Sequence, residues 1–204
     1  MGTVLVVMPD SAWAAEIEGM VTPDDHRMLR SEDCRSALDA VQRHSPDVIL
    51  IEDATALADG HDDFRALRTA TTVALVVLAL DGDEIHELLA FADGADDYIR
   101  MPCSPRVLRA RIAAAMRRAQ SSTPHVEATH TAGPLTVDTS LRRATLQGTP
   151  LALTRTEFNL LCALIENRQR VLPRAELISR VWGDWAGDGH VLDVHLSRLS
   201  LIHI

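Results

Sequence analysis

Short apolar runs, alternating with stretches of helical periodicity, fill the first half of the chain and leave few folds open to it. Thr3–Val7, Asp47–Ile51 and Val73–Ala79 have the length and β-branching of strands buried on both faces; Asp97–Arg100 is a weaker strand and His26–Leu29 a second, less marked one. Between them Ala37, Leu38 and Val41 share one helical face, Ile85, Leu88 and Leu89 another, and Leu108, Ile112, Ala115 and Met116 a third. Strand–helix alternation of this kind specifies parallel strands joined by crossover helices. Residues 1–118 are therefore read as an α/β domain with a doubly wound, five-stranded parallel sheet, whose functional site lies at the carboxyl ends of the strands.

The pattern then changes. Residues 119–131, AQSSTPHVEATHT, have no periodicity and read as a linker. Residues 132–204 form a second, smaller domain. It begins with strand-like pieces at Leu135–Asp138 and Ala144–Leu146 and a turn at Gln147-Gly148 leading to Leu151–Leu153. Thr154 and Glu157 have the S/T-x-x-E spacing of a capping box, in which hydroxyl and carboxylate each satisfy an open amide at a helix start. The helix that follows presents Phe158, Leu161, Cys162 and Ile165, and another from Arg174 to Trp182 presents Leu177, Ile178, Val181 and Trp182.

Composition removes several classes. The apolar runs are too short to span a bilayer, and no basic region precedes the one at the start, so a cytoplasmic protein without membrane contact is expected. Cys34, Cys103 and Cys162 are odd in number and lack ligand spacing; they read as small core residues, and neither a metal nor another cofactor is expected. No phosphate-cradling glycine loop follows Val7, which leaves a flavin-binding enzyme unsupported. All 20 basic residues are arginine, which excludes lysine chemistry. Residues 1–118 hold 21 acids against 12 arginines and residues 119–204 hold 8 against 8, giving net charges of −9 and 0. A neutral second half is a weak footprint for nucleic-acid binding.

Five strings nevertheless occur in a telling order: PDVIL from Pro46, GADDYI from Gly94, LTRTEFNLL from Leu153, VLPRAELISRVWG from Val171 and VLDVHLSRL from Val191. Together they resemble the OmpR/PhoB-type response regulators over essentially the whole chain. The resemblance implies a flavodoxin-like receiver, a linker and a winged helix-turn-helix domain, hence a DNA-binding transcription regulator rather than an enzyme. In a working receiver of this family an acidic pair holds Mg²⁺, an aspartate accepts a phosphoryl group, and a hydroxyl residue and a lysine contact it. The matching positions here are Met8 and Pro9, Glu52, Ala79 and Met101, with only the switch aromatic Tyr98 kept; Asp10 and Asp53 lie nearby. A thioether and a proline cannot replace oxygen donors to a hard cation, so phosphoryl transfer is expected to be lost and a cognate kinase to be unknown or absent. Glu52 has two readings, imitation of a phosphorylated acceptor or drift in a site released from chemical constraint.

The resemblance also implies a symmetric dimer through the receiver, with Asp96, Asp97, Arg100 and Arg111 at the matching charged positions. In the second domain Leu192, Leu196 and Leu199 are expected inward. His190, Asp193, Val194, Ser197 and Arg198 are expected outward toward double-stranded DNA, with Arg198 suited to guanine and His190 and His195 to phosphates. The family pattern continues beyond Leu199 with basic residues and a wing. Leu199–Ile204, LSLIHI, instead matches one frame of a sequencing-library transposon end, so a domain truncated in its recognition helix and a longer natural protein are expected. The alternative function is a protein- or ligand-binding pseudo-receiver.

Overall fold

The computed structural model describes residues 2–9, 11–22, 26–57, 61–120, 129–183 and 189–201, without the side chains of 118–120 and 201. The chain divides into two compact units, residues 1–119 and 120–204. In the first, strands β1 (Thr3–Val7), β2 (Arg27–Ser31), β3 (Val48–Glu52), β4 (Ala74–Ala79) and β5 (Asp97–Arg100) form a parallel sheet in the order β2-β1-β3-β4-β5. Helices α1 (Ala12–Val21), α2 (Cys34–His44), α3 (Asp53–Leu57), α4 (Asp62–Ala70), α5 (Glu84–Ala92) and α6 (Pro105–Gln120) connect and follow these strands. The strands fall within a residue or two of the positions expected from the apolar runs.

Alternation along the strands sorts the core. Val4, Val6 and Met8, Val48 and Leu50, and Val76 and Leu78 join Ala14, Ile17 and Val21 of α1 and Leu108, Ile112, Ala115 and Met116 of α6 in one apolar cluster. Leu5, Val7, Ile49, Ile51, Leu75 and Val77 alternate with them and are equally buried, so the sheet is covered on both faces. The helix starts are specified locally: Ser11, Asp33 and Asp83 each accept a backbone N–H of the first turn, and Asp33 forms a reciprocal capping box with Ser36.

On α5 the structure departs from expectation. Ile85, Leu88 and Leu89 do share a face, but they are 65%, 37% and 41% exposed, while Ala90 and Phe91 pack inward. Asp96 and Asp97, expected at a surface, are also buried. Asp96 accepts the Leu75 N–H at 2.9 Å and pairs with Arg68 at 3.1 Å; Asp97 pairs with Arg111 of α6 at 2.9 Å. The partners lie far away in sequence, so the resemblance that set both residues at a dimer surface does not show their burial.

The second unit has an antiparallel sheet in the order β6 (Thr129–Ala132), β7 (Leu135–Asp138), β8 (Arg143–Leu146), β9 (Thr149–Pro150). Strand β6 takes up residues 129–131 of the segment read as linker, and Leu151–Leu153, to which the expected turn leads, follows β9 without regular structure. Helices α7 (Arg155–Glu166), α8 (Arg174–Trp182) and α9 (His190–Leu201) complete it. The capping box at Thr154 and Glu157 forms as its spacing predicts. Leu135, Val137 and Ala144 of the sheet pack on Phe158, Leu161 and Ile165 of α7.

Asp96 serves both Arg68 and the Leu75 amide, and its removal leaves a buried arginine without its counter-ion and a buried amide without this acceptor. We expect Asp96→Ala to destabilise that unit by about 3 kcal/mol, read as a lower urea midpoint at unchanged slope. A change below about 1 kcal/mol would show that water replaces the carboxylate.

Candidate functional site

The carboxyl ends of β1, β3, β4 and β5 bring together most of the residues matched to receiver chemistry. Met8 is 4% and Met101 6% exposed, both within the apolar cluster, with Trp13 and Cys103 packed against it. Pro9 is exposed, and Asp10 lies outside the described residues. Where the resemblance implies Mg²⁺, the residues present supply a thioether and a proline ring. They do not fit a cation that requires several oxygen donors. No group of three potential metal-ligating side chains occurs among the described residues.

Glu52 ends β3 half-buried and accepts a hydrogen bond from the Thr55 hydroxyl at 3.1 Å. Asp53, the next residue, begins α3 and is 8% exposed. Its Oδ2 lies 3.9 Å from Nδ1 of His86 on α5. Burial pushes the Asp53 carboxyl above the ordinary carboxylate range, with the nearby His86 opposing that rise. Ala79, at the position matched to a hydroxyl residue, is fully buried and has no polar side chain.

Tyr98 is buried, with its ring 6.5 Å from that of Phe91 in a tilted arrangement. Burial and the neighbouring Asp53 carboxylate push its hydroxyl far above its ordinary ionisation range. The loop after β4 makes room for it: a Cβ on Gly82 would collide with the Tyr98 hydroxyl and stand 2.6 Å from the Ala79 Cβ. Sequence reading missed Gly82 and His86; a glycine three residues beyond a strand end was the available signal for Gly82, whereas nothing in the sequence pairs His86 with Asp53.

The charged positions matched to a dimer surface are satisfied within one chain. Arg100 pairs with Glu87 of α5 at 2.6 Å, and Asp97 with Arg111 of α6. Asp96, facing Arg68 inside the unit, is corrected from surface to core. All three cysteines are free. Desolvation raises the Cys34 and Cys162 thiols to about 12 and raises Cys103 as well.

In the second unit α9 carries the residues expected at DNA. Leu192 and Leu199 are buried and Leu196 is half-buried, as their spacing predicts, and Val191 is buried beside them. His195 is corrected: it is fully buried with its ring 5.7 Å from that of Trp182, so it cannot reach a phosphate. It lies three residues after Leu192 and four after Val191, on the same inward stripe. His190, Asp193 and Ser197 are exposed and Val194 is half-buried. Arg174 of α8 grips both oxygens of Asp193 at 2.7 and 2.8 Å, which lowers the Asp193 carboxyl and offsets its charge. Arg198 approaches Oε1 of the buried Glu157 through Nε at 2.6 Å.

A doubly wound domain with a refilled site, beside a unit of four short strands and three helices, defines a receiver paired with a winged-helix-type DNA-binding domain. Residues 148–200 match the family described as "Transcriptional regulatory protein, C terminal". The chain is similar to the sensory transduction protein RegX3 of Mycolicibacterium smegmatis, at 33% identity over 98% of this chain and 89% of that protein. It is also similar to the transcriptional regulatory protein PrrA of Mycobacterium tuberculosis, at 35% identity over 96% and 85%. The chain belongs to the OmpR/PhoB-type response regulators, a family of DNA-binding transcriptional regulators. Among solved structures, a point mutant of RitR shares the fold with a TM-score of 0.81 at 24% identity, covering 98% of this chain and 89% of that one. The response regulator DrrB of Thermotoga maritima gives 0.51 at 22% identity, covering 98% and 88%. No helix among the described residues is long and apolar enough to cross a membrane.

The desolvated Asp53 carboxyl gives a stability test with a definite sign. Its folded-state value is raised, so its charged form is penalised at neutral pH and the penalty vanishes once both folded and unfolded states are protonated. Asp53→Asn should therefore raise the melting temperature by roughly 3 °C at pH 7, with the gain shrinking as pH falls through the carboxylate range. A gain that grows on acidification would show that Asp53 is stabilised as a carboxylate by His86.

Proposed function

We propose that this chain is a cytoplasmic, non-enzymatic transcription regulator that binds double-stranded DNA through α9 and whose receiver works without phosphoryl transfer. The observation that carries the second part is the burial of Met8 and Met101 in the apolar cluster, where the family's acid and lysine would stand. Phosphoryl transfer rests on a metal, an acceptor and a cation acting together, so losing them as a set removes the reaction rather than slowing it. Glu52 is not phosphorylated in this reading. Its hydrogen bond to Thr55, one turn along α3, favours a local structural role over imitation of a phosphoryl group.

The receiver pairs with a second copy of itself through the edge formed by α5, β5 and α6. Ile85, Leu88 and Leu89 make an exposed apolar stripe on α5, and Val107 of α6 is 45% exposed. The adjoining Arg100–Glu87 and Asp97–Arg111 pairs are complete within one chain, so the surface is ready without a trigger. A twofold axis would set each stripe against its copy.

Incubation with Mg²⁺ and a small phosphodonor should leave the protein mass unchanged, and Glu52→Asp should remain equally inert. A stoichiometric base-labile adduct on residues 1–118 would falsify this reading. In sedimentation without any phosphodonor, the protein should be dimeric and Ile85→Asp/Leu89→Asp monomeric. Dimers of unchanged strength in that variant would move the interface elsewhere.

A further inference from the structure

Glu157 does two things with one carboxylate. Oε2 accepts the Thr154 backbone N–H at 2.8 Å and closes the start of α7, while Oε1 faces Nε of Arg198 on α9 at 2.6 Å. The Glu157 side chain is 1% exposed and that of Arg198 33%. A buried carboxylate is costly unless a cation and hydrogen bonds compensate it. The capping contact does not need the charge, since glutamine serves a capping box as well. The negative charge therefore answers to Arg198.

How Arg198 is held bears on what it can read. Arg198 meets Glu157 as a close ion pair at Nε without a hydrogen bond to Oε1, and a guanidinium paired on that side keeps its terminal amino groups as the planar fork that meets O6 and N7 of guanine in the major groove. Anchoring also removes rotamer freedom that would otherwise be lost on binding. Ser197 beside it is exposed and Val194, one turn earlier, is half-exposed, so Arg198 stands at the border between the packed and the open sides of α9.

We propose that Glu157 is a positioning residue for DNA reading: its ion pair with Arg198 keeps that guanidinium at the border of α9 from which the terminal fork meets a guanine edge. The inference rests on α9 being the DNA-facing helix.

The test selects sites from a randomised duplex library at one salt concentration, using the full-length protein. Arg198→Ala should erase the preference for guanine at one position of each half-site and leave the other positions alone. Glu157→Gln should weaken preference at that same position about tenfold, with other positions within about twofold. The double variant should be no worse there than Arg198→Ala. Arg198→Lys keeps a cation for Glu157 but loses the fork, and should lose the guanine as well. The proposal is overturned if Glu157→Gln lowers affinity equally for all sequences, which is what a purely structural tie between α7 and α9 would do, or if Arg198→Ala or Arg198→Lys leaves every preference intact. Should Glu157→Gln melt below the assay temperature, Glu157→Asp keeps the charge and withdraws it by one methylene; unchanged guanine preference in it overturns the proposal equally. A wild-type protein that selects no sequence at all fails the DNA-binding reading itself, a result distinct from the others.

Discussion

Each unit of this protein is organised around a buried carboxylate that answers to one backbone amide and one arginine. Asp96 takes the Leu75 N–H and Arg68; Glu157 takes the Thr154 N–H and Arg198. A lone carboxylate in such a place would be too costly to keep charged, and a lone arginine equally so. Together they fix geometry: Asp96 ties the turn before β5 to β4 and α4, and Glu157 ties the start of α7 to α9. Because the chain has no lysine, these partners are arginines, planar and directional, unlike the point charge of an ammonium. The apolar clusters supply the bulk of the stability, and these pairs add directional ties between the elements.

The same constraint explains what could be read from the sequence and what could not. Strands β1, β3, β4 and β5 were legible because a parallel sheet covered on both faces needs unbroken apolar runs, and α6, α7 and α8 because their apolar residues repeat at helical spacing. Strand β6, with the sequence THTA, was not; it is a polar edge strand whose structure comes from pairing with β7. Asp96 and Asp97 were placed at a dimer surface, and His195 toward DNA, on the family resemblance. Their burial depends on Arg68, Arg111 and Trp182, none of which is a sequence neighbour. The outward face of α5 failed for the opposite reason: an apolar stripe says that something is to be covered, not that the cover belongs to the same domain.

At the receiver site the substitutions are legible singly, but their joint meaning appears only in three dimensions. Met8 and Met101 enter one packed cluster with Trp13 and Cys103, so the site has changed solvent as well as ligands. A region that would have to stay hydrated and charged to hold Mg²⁺ now contributes to the apolar core. Ala79 and Gly82 then leave a space that the Tyr98 hydroxyl fills beside Asp53. Packing and the internal Arg100–Glu87 and Asp97–Arg111 pairs thus support the arrangement of β4, β5 and α5.

The second unit raises the question of how a domain with so little spare positive charge reads DNA. Arg170 and Arg180 pair with Glu176, Arg174 with Asp193, and Arg198 with Glu157, while Arg142 lies over the Phe158 ring and donates to Asn159. Cations already paired attract phosphates less, so these five arginines contribute little to the general electrostatic attraction that dominates nonspecific binding. Pairing does not weaken directional contacts in the same way. An arginine oriented by a carboxylate gives up long-range attraction and gains a defined donor geometry, which matters at a base edge and hardly at all along a phosphate backbone.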